Sequence, residues 1–115
     1  MEEIENLLFL NKKALLIVSI AILLDVLSGV IKASINHNLK SSEFRVGLMK
    51  KVLDYILILI GFCLDFLLEV NYVGHAVLYS IIAMEFYSVL ENINEYIPLP
   101  NILKNVLDGL KKEDE

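Results

Sequence analysis

Apolar residues fall into three long stretches separated by short polar connections, and the spacing predicts a helix in each. The first covers 14–35, ALLIVSIAILLDVLSGVIKASI, interrupted only by Asp25 and Lys32. The second covers 47–68, GLMKKVLDYILILIGFCLDFLL, with Lys50, Lys51, Asp54 and Asp65 inside it. The third covers 71–92, NYVGHAVLYSIIAMEFYSVLEN, holding His75, Glu85 and Glu91. Each is close to the roughly 20 residues that carry a helix across a bilayer core. The longest stretch free of Asp, Glu, Lys and Arg, Val70 to Met84, is shorter than the roughly 18 residues of an uninterrupted span. The assignment therefore rests on where the interruptions lie.

They lie on faces. Asp25, Ser28, Gly29 and Lys32 follow i, i+3, i+4, i+7 and form one polar, small-residue stripe on an apolar helix. In the second stretch Gly47, Lys51, Asp54, Ile58, Gly61 and Asp65 alternate steps of four and three. In the third, Glu85, Ser88 and Asn92 do the same, and Glu95 continues the line. An ionised group at the bilayer centre costs about 2.5–3.5 kcal/mol on insertion scales, so such stripes must face each other, another copy or water. Three readings are open: paired groups holding three helices together, the lining of an aqueous path in an oligomer, or a relay for protons or substrate. Counting along the helices places Asp25 and Glu85 near the midplane. It gathers Lys32, Lys50 and Lys51 near the other surface, within reach of Asp54 and Glu91. Gly29 and Gly61 suit close helix packing.

Composition sharpens the class. Of 115 residues, 57% are hydrophobic, above the roughly 45–50% of soluble domains. At this size about a third of the unfolded surface stays exposed, so the excess cannot all be hidden from water. A formal charge of −5 argues against a nucleic-acid partner, which usually needs a basic face. One cysteine, Cys63, excludes an intrachain disulfide and a multi-cysteine zinc site. The expected fold is an all-α integral membrane protein of one domain, 1–115, in contact with membrane lipid.

The remaining segments complete the expected topology. Glu2, Glu3 and Glu5 replace the basic region of a cleavable signal, so the first span is read as retained, behind an amphipathic segment 1–13. Ser41 and Ser42 are placed to cap a helix beginning near Glu43. Only about Glu69 to Gly74 joins the second and third spans, which requires a tight antiparallel hairpin. Pro98-Leu99-Pro100 stops the third helix. Asn101 then caps an amphipathic helix over 101–112, with Ile102, Leu103, Val106, Leu107 and Leu110 on one face, the pattern of an interfacial helix. With the charged tail it makes up a terminal segment 96–115. Lys12 and Lys13 flank one side of the spans; Lys40, Arg45, Lys50, Lys51, Lys104, Lys111 and Lys112 flank the other. That bias predicts the N-terminus outside and the C-terminus in the cytoplasm.

Catalytic chemistry finds no support. Asp54 and Asp65 are eleven residues apart, about 16 Å along a helix, too far for an acid/base pair. His37 and His75 lack an i+3 or i+4 metal partner and read as solvated interfacial side chains; Cys63 reads as a packing residue. No cofactor or metal site is expected, and the protein is not read as an enzyme.

The run Asp25-Val-Leu-Ser28-Gly29-Val-Ile-Lys32-Ala33, then Leu39-Lys-Ser41-Ser42 and Gly47-Leu-Met-Lys50-Lys51-Val52, resembles the bacteriophage holin family that includes the toxin-secretion/phage-lysis holins of clostridia. Asp65, the run Glu85-Phe-Tyr-Ser88-Val-Leu-Glu91-Asn92, and Ile97-Pro98-Leu99-Pro100 before Leu103 continue the likeness over roughly 20–110. The chain departs where Glu95-Tyr96 replaces a glycine often found before the Pro-x-Pro, and in a shorter second connection. The resemblance implies homo-oligomers in the bacterial cytoplasmic membrane that open lesions for an endolysin or a co-encoded toxin, without direct contact to either. It brings no catalytic residues. Alternatives are a small multidrug-type proton-coupled transporter, which usually has four spans and a glutamate in the first, and an antiholin or membrane scaffold.

Overall fold

The computed structural model describes residues 2–114, with side chains from Lys12 to Leu110. The chain forms α1 (Glu2–Ile35), α2 (Ser41–Leu68), α3 (Val73–Asn94) and α4 (Asn101–Asp114), with no strand among the described residues. Residues 2–13, expected as a segment of their own, continue without a break into the first apolar stretch as one helix.

Helix α2 starts two residues before the expected Glu43. Its N-cap is Lys40, in extended conformation, with no capping side-chain hydrogen bond, so Ser41 and Ser42 are helical residues and not caps. Asn101 is likewise the first helical residue of α4; the Pro100 carbonyl accepts from the Lys104 amide at 2.9 Å. Proline at that point loses nothing, because the first amides of a helix have no carbonyl partner in any case.

Helix α3 is the centre of the bundle. It runs parallel to α1 and antiparallel to α2, and lies against both, whereas α1 and α2 touch sparsely. The core is small: Ala14, Val18 and Ile22 recur every four residues on α1 and meet Ile58 of α2 and Leu78 and Ile81 of α3. Most other large apolar side chains point outward; Leu16, Leu23, Leu59 and Phe66 are 57% to 89% exposed. A monomer in water rarely carries so much contiguous apolar surface.

Among the described residues two helical stretches are long and apolar enough to cross a membrane, Lys12–Ile35 and Val73–Asn94. Helix α2 has the length, at 28 residues, but carries Lys50, Lys51, Asp54 and Asp65 within its apolar stretch. The second expected span, 47–68, thus falls short on charge, not on length.

At the turn between α2 and α3 the two backbones meet. A Cβ on Gly61 would lie 3.0 Å from the Gly74 Cα, so the pair of glycines sets the closeness of the hairpin. Glu69 closes α2 in the left-handed region, φ 56° and ψ 41°. Helix α4 folds back on α3 and buries Leu99 and Leu107, while Ile102, Leu103 and Val106 stay outside. The apolar face expected to be single is therefore divided between protein and surroundings.

Candidate functional site

The polar stripes converge inside one copy. Asp25 lies ten residues before the end of α1 at Ile35, Lys51 ten after the start of α2 at Ser41, and Glu85 nine before the end of α3 at Asn94. At 1.5 Å per residue the three lie about 15 Å from the same end of the bundle, which puts them at one level. There the Lys51 ammonium donates to Asp25 Oδ2 and to both Glu85 oxygens, at 2.9 and 2.7 Å. Glu85 is 7% exposed at its side chain, Asp25 13% and Lys51 23%. Asp54, one turn on from Lys51, is half-buried with its carboxyl beside that of Glu85. One cation is thus set among three carboxyls drawn from all three helices.

Below this level a row of polar contacts joins α1 to α3. Asn92 Nδ2 donates to Ser28 Oγ at 3.0 Å, and Ser28 in turn donates to the Asp25 carbonyl at 3.1 Å. Lys32 pairs with Glu95 at 2.8 Å, and the Tyr96 hydroxyl donates to Asn36 Oδ1 at 3.0 Å. The partners rise together in number, as parallel helices require. Ser88 is half-buried one turn beyond Glu85 and takes no part in these contacts.

Two expected groupings are replaced. Lys51 does not collect with Lys32 and Lys50 near the surface; it reaches inward to the level of Asp25 and Glu85. Lys32 pairs with Glu95 and not with Asp54 or Glu91. The reason is the start of α2 at Ser41, which places Lys51 nearly three turns into the helix.

Asp65 does something the sequence did not reveal. Its carboxylate accepts the Val73 amide at Oδ1 and the Gly74 amide at Oδ2, both at 2.8 Å. Helix α3 has no capping side chain of its own at Tyr72, so α2 supplies the cap across the turn. The available signal was a buried-face aspartate eight residues before a helix start that lacks Ser, Thr, Asp or Asn at its cap position. Gly61 sits in the close approach to Gly74. Gly29, by contrast, meets nothing within 4 Å of an added Cβ, nor does Gly47; both line a cleft of about 220 Å³ between α1 and α2. Gly29 therefore serves no close packing within this copy.

His75 is half-buried: it packs edge-on against Phe62 at 5.6 Å between ring centres, and Nδ1 is buried without a hydrogen bond. Cys63 is exposed on the outer side of α2, not packed inside. Among the described residues no group of three or more His, Cys, Asp or Glu is placed to hold a metal ion.

The family model described as the bacteriophage holin family matches residues 4–112. Comparison with curated proteins and with solved structures returns no match.

Proposed function

The chain belongs to the bacteriophage holin family, and from that premise we propose that it gathers as homo-oligomers in the host's cytoplasmic membrane and opens holes through which an endolysin, or a secreted toxin, leaves. The observation that carries the reading is the buried ionic cluster of Asp25, Lys51 and Glu85 within a bundle whose outer surface is apolar. Charge placed that deep in lipid is retained for a role in transport or conduction. In the closed copy its groups satisfy one another. In an assembled ring, Asp25, Ser28, Lys32, Lys51 and Glu85 would face water, and lipid would still meet the outer apolar sides.

Helix α2 acts as the third span in this reading. Lys51 and Asp65, two of the charges in its apolar stretch, have partners inside the bundle, which offsets much of the cost of placing them in lipid. The first connection and α4 lie on the cytoplasmic side. Ile102, Leu103 and Val106 there rest in the headgroup region, with α4 held to the protein by Leu107. No catalysis enters, since the lesion itself is the product.

The test is controlled expression in a bacterium that also makes a cytoplasmic endolysin with no export route of its own. Growth should stop abruptly and lysis follow, whereas the endolysin alone leaves the culture growing. Continued growth with the endolysin retained inside would overturn the proposal.

A further inference from the structure

The three helix interfaces are unequal. Helices α1 and α3 share the core side chains and the polar row from Ser28–Asn92 to Asn36–Tyr96. Helices α2 and α3 are joined firmly at their turn, by the Asp65 carboxylate on two amides and by the Gly61–Gly74 approach. Between α1 and α2 the side-chain hydrogen bonds among the described residues are Lys51 to Asp25 and Ser19 to Tyr55 at 2.7 Å. From Lys51 toward Ser41 the two helices separate around the cleft that holds Gly29 and Gly47. Helix α2 is thus anchored firmly at one end. Beyond Ile58 and the Ser19–Tyr55 bond, the side-chain hydrogen bonds that hold its Ser41 half to the other helices are those of the Lys51 ammonium, and residues 36–40 tether it to α1.

We propose that Lys51 is a catch and α2 a hinged arm that turns about residues 69–72 when the catch releases. Lys51 stands eighteen residues from Glu69, about 27 Å along the helix, so a tilt of roughly 15° at the turn carries its ammonium about 7 Å from Asp25 and Glu85. The arm opens away from α1, because that interface has least to break, while the α1–α3 pair stays whole. Opening widens the existing cleft and leaves two carboxylates without their cation. Carboxylates at that depth then require water, a proton or a cation from a second copy. Release, hydration and association become one coupled event. A closed copy is held until that event supplies what Lys51 supplied.

The role of the catch in timing rests on the holin reading, but its mechanics do not, and the test separates them. Spin labels are placed on the exposed positions Ile31 and Val46, reporting α1–α2, and on Ile31 and Ile93, reporting α1–α3, in a Cys63→Ser background. The full chain is reconstituted in phosphatidylethanolamine–phosphatidylglycerol vesicles. Lys51→Met should lengthen and broaden the α1–α2 distance by several ångströms and leave the α1–α3 distance unchanged. The exchange Asp25→Lys with Lys51→Glu rebuilds the bridge from the other side and should restore the native α1–α2 distance. An unchanged α1–α2 distance in Lys51→Met, or equal spreading of both pairs, overturns the catch. If Lys51→Met fails to accumulate, the exchange variant decides: closed supports the proposal, open overturns it. In cells with endolysin, Lys51→Met should lyse earlier than the native protein at equal membrane content, and later or absent lysis overturns the timing role. A native protein that never lyses cells refutes the holin reading and leaves the distance result standing.

Discussion

Asp65 is the residue whose replacement has the most legible cost. Its carboxylate receives two amides of the first turn of α3, Val73 and Gly74, each at 2.8 Å, and the Gly74 contact is buried. Asp65→Ala removes both acceptors and leaves the start of α3 without a cap, since Tyr72 provides none. A lost helix cap costs about 0.5–2 kcal/mol. A hydrogen bond to a charged group contributes about 1.5–3 kcal/mol. Two such bonds, partly replaced by water at the turn, give about 2–4 kcal/mol, a shift of roughly 30- to 1000-fold in the folding equilibrium. Asp65→Asn keeps one acceptor oxygen without the charge and should lose about half as much. Two measurements check this. Steric trapping in lipid micelles gives the global stability of each variant. Hydrogen exchange at Val73 and Gly74 gives the local opening, which should accelerate in Asp65→Ala before amides at the middle of α3 change. Asp65→Ala within about 0.5 kcal/mol of the native protein, with both amides still protected, would refute the capping argument.

The other expectations are more local. Gly74→Ala places a Cβ 2.5 Å from the Phe62 ring and should cost about 1–3 kcal/mol, while Gly29→Ala and Gly47→Ala, in open space, should be neutral or gain up to about 1 kcal/mol from helix propensity; thermal unfolding in detergent ranks them. Ser28→Ala and Asn92→Ala should couple by about 0.6 kcal/mol in a double-mutant cycle, and independence of the two would place their hydrogen bond outside the membrane-folded state. In a Cys63→Ser background, Tyr72→Cys should react with an impermeant maleimide in intact cells, and Leu39→Cys only after the cytoplasm is opened; the reverse pattern inverts the topology.

Much of the site can be read along the chain because helical period assigns faces. The line Gly47, Lys51, Asp54, Ile58, Gly61, Asp65 is the inward side of α2, where Ile58, Gly61 and Asp65 are buried. Asp25, Ser28 and Lys32 share the side of α1 that meets α3. What period does not carry is level and pairing. Level depends on where each helix starts, and Ser41 starting α2 in place of Glu43, together with counting from the surface, moved Lys51 from a surface cluster to the central one. Caps were the weakest expectation: Ser41, Ser42 and Asn101 have cap chemistry but helical positions, and the cap of α3 comes from Asp65, eight residues away. Local propensity describes what a residue can satisfy, and the fold decides which donor is within reach.

An all-helical chain with an apolar exterior and polar faces follows from composition and from the 3.6-residue period alone. The tertiary structure decided that α3 lies between α1 and α2, that one lysine serves two carboxylates from two other helices, and that α1 and α2 part around a cleft. Those outcomes depend on turn length, on the Gly61–Gly74 approach and on relative helix rotation, and none of these is a property of a single segment.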